Sequence, residues 1–154
     1  MKTIFLDFDG VLHSSSIHVH KPFSKLVYFE SLINNYPFDI VVSSTWRFHY
    51  KLSEIKFKLK KLGDRVIDVT GENFNGTFAR YNEIKEYTEF NQIADWRAVD
   101  DAKSQFPESE SRLVYCDPKI GITQFQIDLL KKWLESWIFL GVMFMSSNAV
   151  EGMI

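Results

Sequence analysis

At 154 residues the chain has room for one domain and its core, and 45% hydrophobic with 16% aromatic residues against 25% charged ones excludes a disordered or fibrous polypeptide. A net charge of −2 gives no bulk attraction to nucleic acid or to an anionic membrane. The lone cysteine, Cys116, allows no internal disulfide, and no Cys/His spacing suits zinc, so a reducing cytoplasm is the expected compartment.

The amino-terminal MKTIFLDFDG has too short an apolar stretch, and acids too early, for a signal peptide. Ile4-Phe5-Leu6 reads as a buried strand of a parallel sheet that delivers Asp7 and Asp9, with Gly10 letting the backbone turn away. In an extended chain Asp7 and Asp9 share one side. Two ionised carboxylates about 4 Å apart repel by roughly 4 kcal/mol at an effective dielectric of 20, so a divalent cation or a raised pKa must offset them. His13 to Lys21 (HSSSIHVHK) reads as a mobile polar loop whose His13, His18 and His20 line a flap beside the site rather than bind zinc. Pro22 to Asn34 follows helical spacing, with Pro22 in the first turn.

A second strand, Ile40 to Val42, ends in Ser43 and Ser44. Ser44 and Thr45 suit the amino cap of the next helix, and Trp46 is expected to pack. Phe48 to Leu62 reads as a helix closed by Gly63; its Lys51, Lys56, Lys58, Lys60 and Lys61 form either a solvated face or a local basic patch. Val66 to Val69 is a strand interrupted by Asp68, and Arg80 to Phe90 a third helix with Ile84, Tyr87 and Thr88 on one side. Ala98-Val99 runs into Asp100-Asp101, and Leu113 to Tyr115 is followed by the turn former Asp117-Pro118. Thr123 and Gln126 form a capping box before Ile127, Leu130, Trp133 and Leu134. Trp137 to Met145 is nine apolar residues, short of the roughly 20 that span a bilayer, and reads as core or as a surface for homo-oligomer formation.

Apolar runs alternating with helical segments predict an α/β fold, a three-layer sandwich around a mainly parallel, five-stranded Rossmann-like sheet. It forms a single domain over residues 1–154, with a core at about 3–135 and a tail at 136–154. In such sheets ligands bind outside the carboxyl ends of the strands. That rule selects Asp7, Asp9, Ser43, Ser44, Asp100 and Asp101, with Arg80 and Lys85 as the nearest cations. Acids, a hydroxyl and a cation together suit a phosphate and a metal ion.

These residues resemble the four motifs of the haloacid dehalogenase (HAD) superfamily of phosphohydrolases: Asp7-Phe8-Asp9-Gly10, the IVVSS strand ending in Ser43, Arg80 or Lys85, and Asp100-Asp101. SSTWR, ARYNEI, AVDD and DPKIGIT further resemble a bacterial and phage subgroup that occurs in RNA-repair proteins. The resemblance implies a phosphatase in which Asp7 is the nucleophile and Asp9 the general acid and base. It implies Ser43 and Arg80 (alternates Ser44 and Lys85) on the phosphate, and Mg²⁺ on Asp7, the backbone carbonyl of Asp9 and Asp100. Asp101 would be an alternate ligand or lie just behind them.

Only 33 residues separate Asp9 from Ser43, and 36 separate Ser43 from Arg80, which leaves no room for the cap domains of the superfamily. The expected substrate is therefore large or exposed, such as a nucleic-acid end or nucleotide, and no membrane is involved. Two rival readings are a phosphoacceptor switch of receiver type and a non-catalytic nucleic-acid-binding module using Trp46, Arg47 and the lysine face.

Overall fold

The computed structural model describes residues 1–16, 21–72 and 75–148; from 137 to 148 it describes the backbone. Five strands, β1 (Thr3–Leu6), β2 (Asp39–Val42), β3 (Val66–Val69), β4 (Trp96–Asp100) and β5 (Leu113–Tyr115), form one sheet in the order β3-β2-β1-β4-β5. Every pairing is parallel. The central strands are apolar on both sides because both faces are covered.

Alternation divides the core in two. Ile4 and Leu6 of β1 join Ile40 and Val42 in a cluster with Phe29, Leu32, Ile55, Ile127 and Leu130, so α1 (Glu30–Asn35), α2 (Leu52–Lys58) and α4 (Gln124–Asn148) cover one face. Phe5 and Val41 point the other way, toward Ile84 of α3 (Ala79–Phe90), with Trp96, Ala98 and Phe106. Right-handed crossovers require this arrangement. The chain steps outward from β1 through β2 to β3, then returns past β1 to β4, and the reversed direction puts α3 on the opposite face. The reversal makes the gap between β1 and β4 the topological switch point, where ligands of such folds bind.

The five expected strands agree with these, and α3 begins one residue before its expected start. The Thr123 cap is present: its amide donates to Gln126 Oε1 at 2.9 Å, and its hydroxyl accepts from the amide of Phe125. Asp117 makes the expected turn, its side chain accepting from Lys119 N and its carbonyl from Ile120 N. Helix α4 continues without a break to Asn148, so the backbone of the expected tail is helical through that residue, while the side chains of Trp137 to Met145 lie outside the described residues. No helix among the described residues is long and apolar enough to cross a membrane.

Two helix boundaries differ from expectation, each at a backbone reversal. The segment after Pro22 turns instead, because Phe23 takes φ 59° and hands its amide to His13 Nδ1; a short 3-10 turn (Leu26–Phe29) then leads into α1. The predicted helix from Phe48 to Leu62 is broken into 3-10 turns at Thr45–Phe48 and Lys60–Arg65 around α2, with Lys60 at φ 52°. Gly63 is therefore not a cap. It lies against the preceding helix, where a Cβ would sit 2.0 Å from the carbonyl oxygen of Lys56. Gly63→Ala is expected to force these backbones apart at a cost of about 1–3 kcal/mol, read as a lower urea midpoint with unchanged slope.

Candidate active site

The strand register builds the site. Leu6 pairs with Val42 on one side and Val99 on the other, so the next residues along, Asp7, Ser43 and Asp100, stand at one level. The ladder continues past the strand ends, with Asp7 N donating to Val99 O and Ser43 N to Leu6 O, each at 3.0 Å. These backbone bonds hold three candidate side chains at the ends of the central strands. Ser43 is 1% exposed, and its Oγ has no hydrogen-bond partner. A buried hydroxyl left so is costly unless a ligand completes it.

Asp7, Asp100 and Asp101 each offer a carboxylate oxygen, and these oxygens lie within 4.8 Å of one another. Gly10 makes this possible. It takes φ +73°, and a Cβ there would fall 2.1 Å from Asp101 Oδ2. The third acid thus occupies the space a side chain at position 10 would need.

Arg80, on the first turn of α3, answers the negative charge: its Nη1 donates to Asp100 Oδ2 at 2.8 Å and lies 3.4 Å from Asp7 Oδ1. Burial alone would lower the guanidinium pKa, but Asp100, Asp7 and Glu83 outweigh it and raise it. Asp100 is pushed up to about 7, first by burial and then by the charge of Asp7, with Arg80 opposing. Asp101 rises to about 6 for the same two reasons. Buried beside this group, the Cys116 thiol is raised to about 12, chiefly by desolvation, and stays protonated.

Asp9 is held by neighbours of its own. Its carboxylate does not join the trio of Asp7, Asp100 and Asp101 but lies between two donors, Trp46 Nε1 at 3.0 Å from Oδ2 and His13 Nε2 at 2.8 Å from Oδ1. His13 is fully buried, and its Nδ1 accepts from the amide of Phe23, so Nε2 carries the proton it gives to Asp9. The side chain of Asp9 remains 45% exposed. Thus the polar loop expected at His13 to Lys21 begins with two buried residues, His13 and Ser14, while His18 and His20 lie outside the described residues. Trp46, expected to be a packing residue, is also a hydrogen-bond donor to the site.

Ser44 serves as a cap, its Oγ accepting from Trp46 N at 3.3 Å. Lys85 pairs with Glu89 at 3.6 Å on the partly exposed side of α3, whereas Arg80 reaches the carboxylates. Sequence reasoning did not foresee the link between Arg47 and Glu83 behind them. Arg47 donates through Nη1 to the carbonyls of Ser43 and Ser44 and through Nη2 to Glu83 at 2.8 Å, joining the loop after β2 to α3. Both side chains of that pair are at most 4% exposed. An arginine four residues past the strand-end serine and a glutamate three past Arg80 were the available signals. Arg47→Ala leaves buried Glu83 with only the longer contact to Arg80, 3.8 Å from its Oε2, and is expected to cost about 2–4 kcal/mol in chemical denaturation.

The raised carboxyl pKa values give a pH signature. The unfolded chain loses these protons near 3.8, whereas folded Asp100 and Asp101 keep theirs to about 7 and about 6. Their stabilising effect is therefore complete below about pH 4 and lost as pH rises through 6 to 7. In EDTA, the melting temperature is expected to fall by more than about 3 °C between pH 5 and pH 8. Divalent cation should restore it at pH 8, where the ionised trio is ready to bind; flat melting curves with no metal response would contradict this placement of the acids.

Residues 3–127 match the family described as the HAD domain in Swiss Army Knife RNA repair proteins. No curated protein and no solved structure matches the chain. The match covers the whole sheet and both halves of the site, the sheet is all-parallel, and no cap domain is evident among the described residues. The chain belongs to this HAD family of RNA-repair proteins and carries a HAD-type hydrolase domain.

Proposed function

We propose that the protein is a magnesium-dependent phosphomonoester hydrolase that works through an aspartyl-phosphate on Asp7, on a large or exposed substrate such as a nucleic-acid end. The observation that carries this reading is the convergence of Asp7, Asp100 and Asp101 within 4.8 Å beside Arg80, at the switch point of the sheet. Hard carboxylate oxygens, few in number, suit Mg²⁺, which keeps several waters. Asp7, Asp100 and the backbone carbonyl of Asp9 would hold it, with Asp101 as alternate. Bound there, the ion supplies neutralising charge to the transferring group.

The chain's own residues do the rest. An oxygen of Asp7 attacks phosphorus as the ester P–O bond breaks, and Asp9 gives a proton to the leaving oxygen. Water then attacks the acyl phosphate; Asp9 takes its proton, and Asp7 departs as a carboxylate. Ser43 Oγ, buried without a partner, donates to a non-bridging oxygen, and Arg80 binds another by a charge-assisted bond. His13 and Trp46 favour a turnover enzyme over a receiver-like switch, because they hold a half-exposed carboxylate where a proton can be exchanged with solvent. A phosphoacceptor meant to persist has no use for such a group.

Steady hydrolysis of an aryl phosphate with Mg²⁺ is the expected result, lost in Asp7→Asn and reduced about 10²- to 10⁴-fold in Asp9→Asn. Acid quenching should trap one phosphoryl group on the peptide containing Asp7. Full activity in Asp7→Asn, or a phosphoprotein that accumulates without turnover, would overturn the mechanism.

A further inference from the structure

The face built by residues 46–62 carries charge and aromatic surface that the proposed chemistry leaves unused. Over residues 51–61, five lysines (51, 56, 58, 60 and 61) stand against a single acid, Glu54, in a chain whose net charge is −2. Four of them are exposed and Lys58 is half-buried. Glu54 is already engaged, accepting from the amide of Lys51 at 2.7 Å to cap α2. Aromatic rings lie among these cations. Phe57, between Lys56 and Lys58, is 87% exposed, and Tyr50 is 36% exposed. A hollow of about 310 Å³ lies between the two rings, lined also by Ser53, Glu54 and Lys58.

This surface is continuous with the site at one end and with a basic groove at the other. Trp46, which donates to Asp9, stacks on Tyr50 with centroids 5.2 Å apart and planes at 24°. Lys58 Nζ lies 4.7 Å from the Tyr50 ring centre. Lys58 also opens onto a groove of about 730 Å³, with Lys21, Lys60 and Lys61 on its rim, Phe23 and Leu62 among its apolar residues, and Glu30 as its one acid. From Asp9 outward, the order is carboxylate, indole, phenol, lysine, groove.

We propose that this face is a track for a single-stranded polynucleotide, a base stacking on Phe57 and its phosphates neutralised by Lys58, Lys60 and Lys61. The inference deepens the hydrolase reading and rests on it for placing the strand's phosphorylated end at Asp7. Interleaved rings and cations select this occupant. A duplex hides the faces of its bases, and an acidic peptide offers charge without flat rings to stack.

The test is fluorescence anisotropy in EDTA with RNA and DNA single strands of about 12 nucleotides that lack terminal phosphates, over a salt series. A duplex of the same sequence and an oligoglutamate of equal charge serve as comparisons. Wild type should bind at least one single strand about tenfold or more tighter than either comparison, and the RNA and DNA arms identify which sugar is preferred. K60E/K61E should weaken binding at least about tenfold and lower the salt slope by about 1.4, at about 0.7 per neutralised phosphate. Phe57→Ala should weaken it about tenfold with the slope unchanged, and Phe57→Trp should restore it. All three positions are exposed, so melting curves should match the wild type.

No single-strand binding by the wild type, equal binding of duplex or oligoglutamate, or variants indistinguishable from wild type would overturn the track. Aryl phosphate turnover by the wild type, measured in parallel with Mg²⁺, separates the two ideas. Turnover without strand binding sinks the track and spares the hydrolase, whereas strand binding that depends on Phe57 and the lysines, without turnover, does the reverse.

Discussion

Three carboxylates meet where β1 and β4 lie side by side, and their mutual repulsion is the constraint around which the site is organised. At the 4.8 Å that bounds their separation, each ionised pair is worth about 3–4 kcal/mol of repulsion at an effective dielectric of 20. Arg80 offsets part of this. Burial first, and the charge of Asp7 second, raise the pKa values of Asp100 and Asp101, which makes these two acids reluctant to ionise without added positive charge. The fold holds the group together by several devices: parallel register levels Asp7 with Asp100, Gly10 leaves space for Asp101, and the left-handed Phe78 at φ 60° starts α3 where Arg80 can reach back across the sheet. Together they assemble a site for a cation or a proton.

A second layer keeps that arrangement in place. Glu83 lies one turn along α3 from Arg80, with Oε2 at 3.8 Å from Arg80 Nε and 2.8 Å from Arg47 Nη2. Burial lowers the pKa of Arg47 and raises that of Glu83, so each is less comfortable alone than it would be in water. Their pairing links the loop that carries Ser43 to the helix that carries Arg80. The two groups proposed to grip phosphate are thereby held in one frame. A buried ion pair is weak support for stability in itself, but here its directional bonds to two carbonyls fix a loop conformation.

Much of this was legible in the sequence because it depends on periodicity and strand ends. Apolar runs such as Ile4 to Leu6 announce buried parallel strands, and the rule that ligands bind at their carboxyl ends gathers Asp7, Ser43 and Asp100 without knowledge of the contacts. What was not legible depended on backbone sign reversals and on distant partners. Nothing local marks Phe23 or Lys60 for positive φ, since neither is the glycine or asparagine that prefers it, so periodicity overstates the length of two helices. Alternation could not reveal how Asp9 is held, because it applies only while the strand lasts: β1 stops at Leu6, and the chain turns at Phe8, whose carbonyl accepts from Val11 N and Leu12 N. The donors to Asp9, His13 and Trp46, come from separate segments.

Environment gives the two aspartates of one motif different capacities. Asp7 is buried under a guanidinium and beside two acids, a setting that keeps its oxygens close to positive charge and away from bulk water. Asp9 stands half in solvent, gripped by two ring N–H donors that orient it. Pairs of titratable groups placed in contrasting surroundings are how a site divides nucleophilic work from proton transfer. Trp46 adds a further consequence, since the indole that orients Asp9 also stacks on Tyr50 at the head of the basic face. On the proposed reading, a strand lying against Tyr50 would bear on the ring that orients Asp9, which would join substrate length to proton transfer through one side chain.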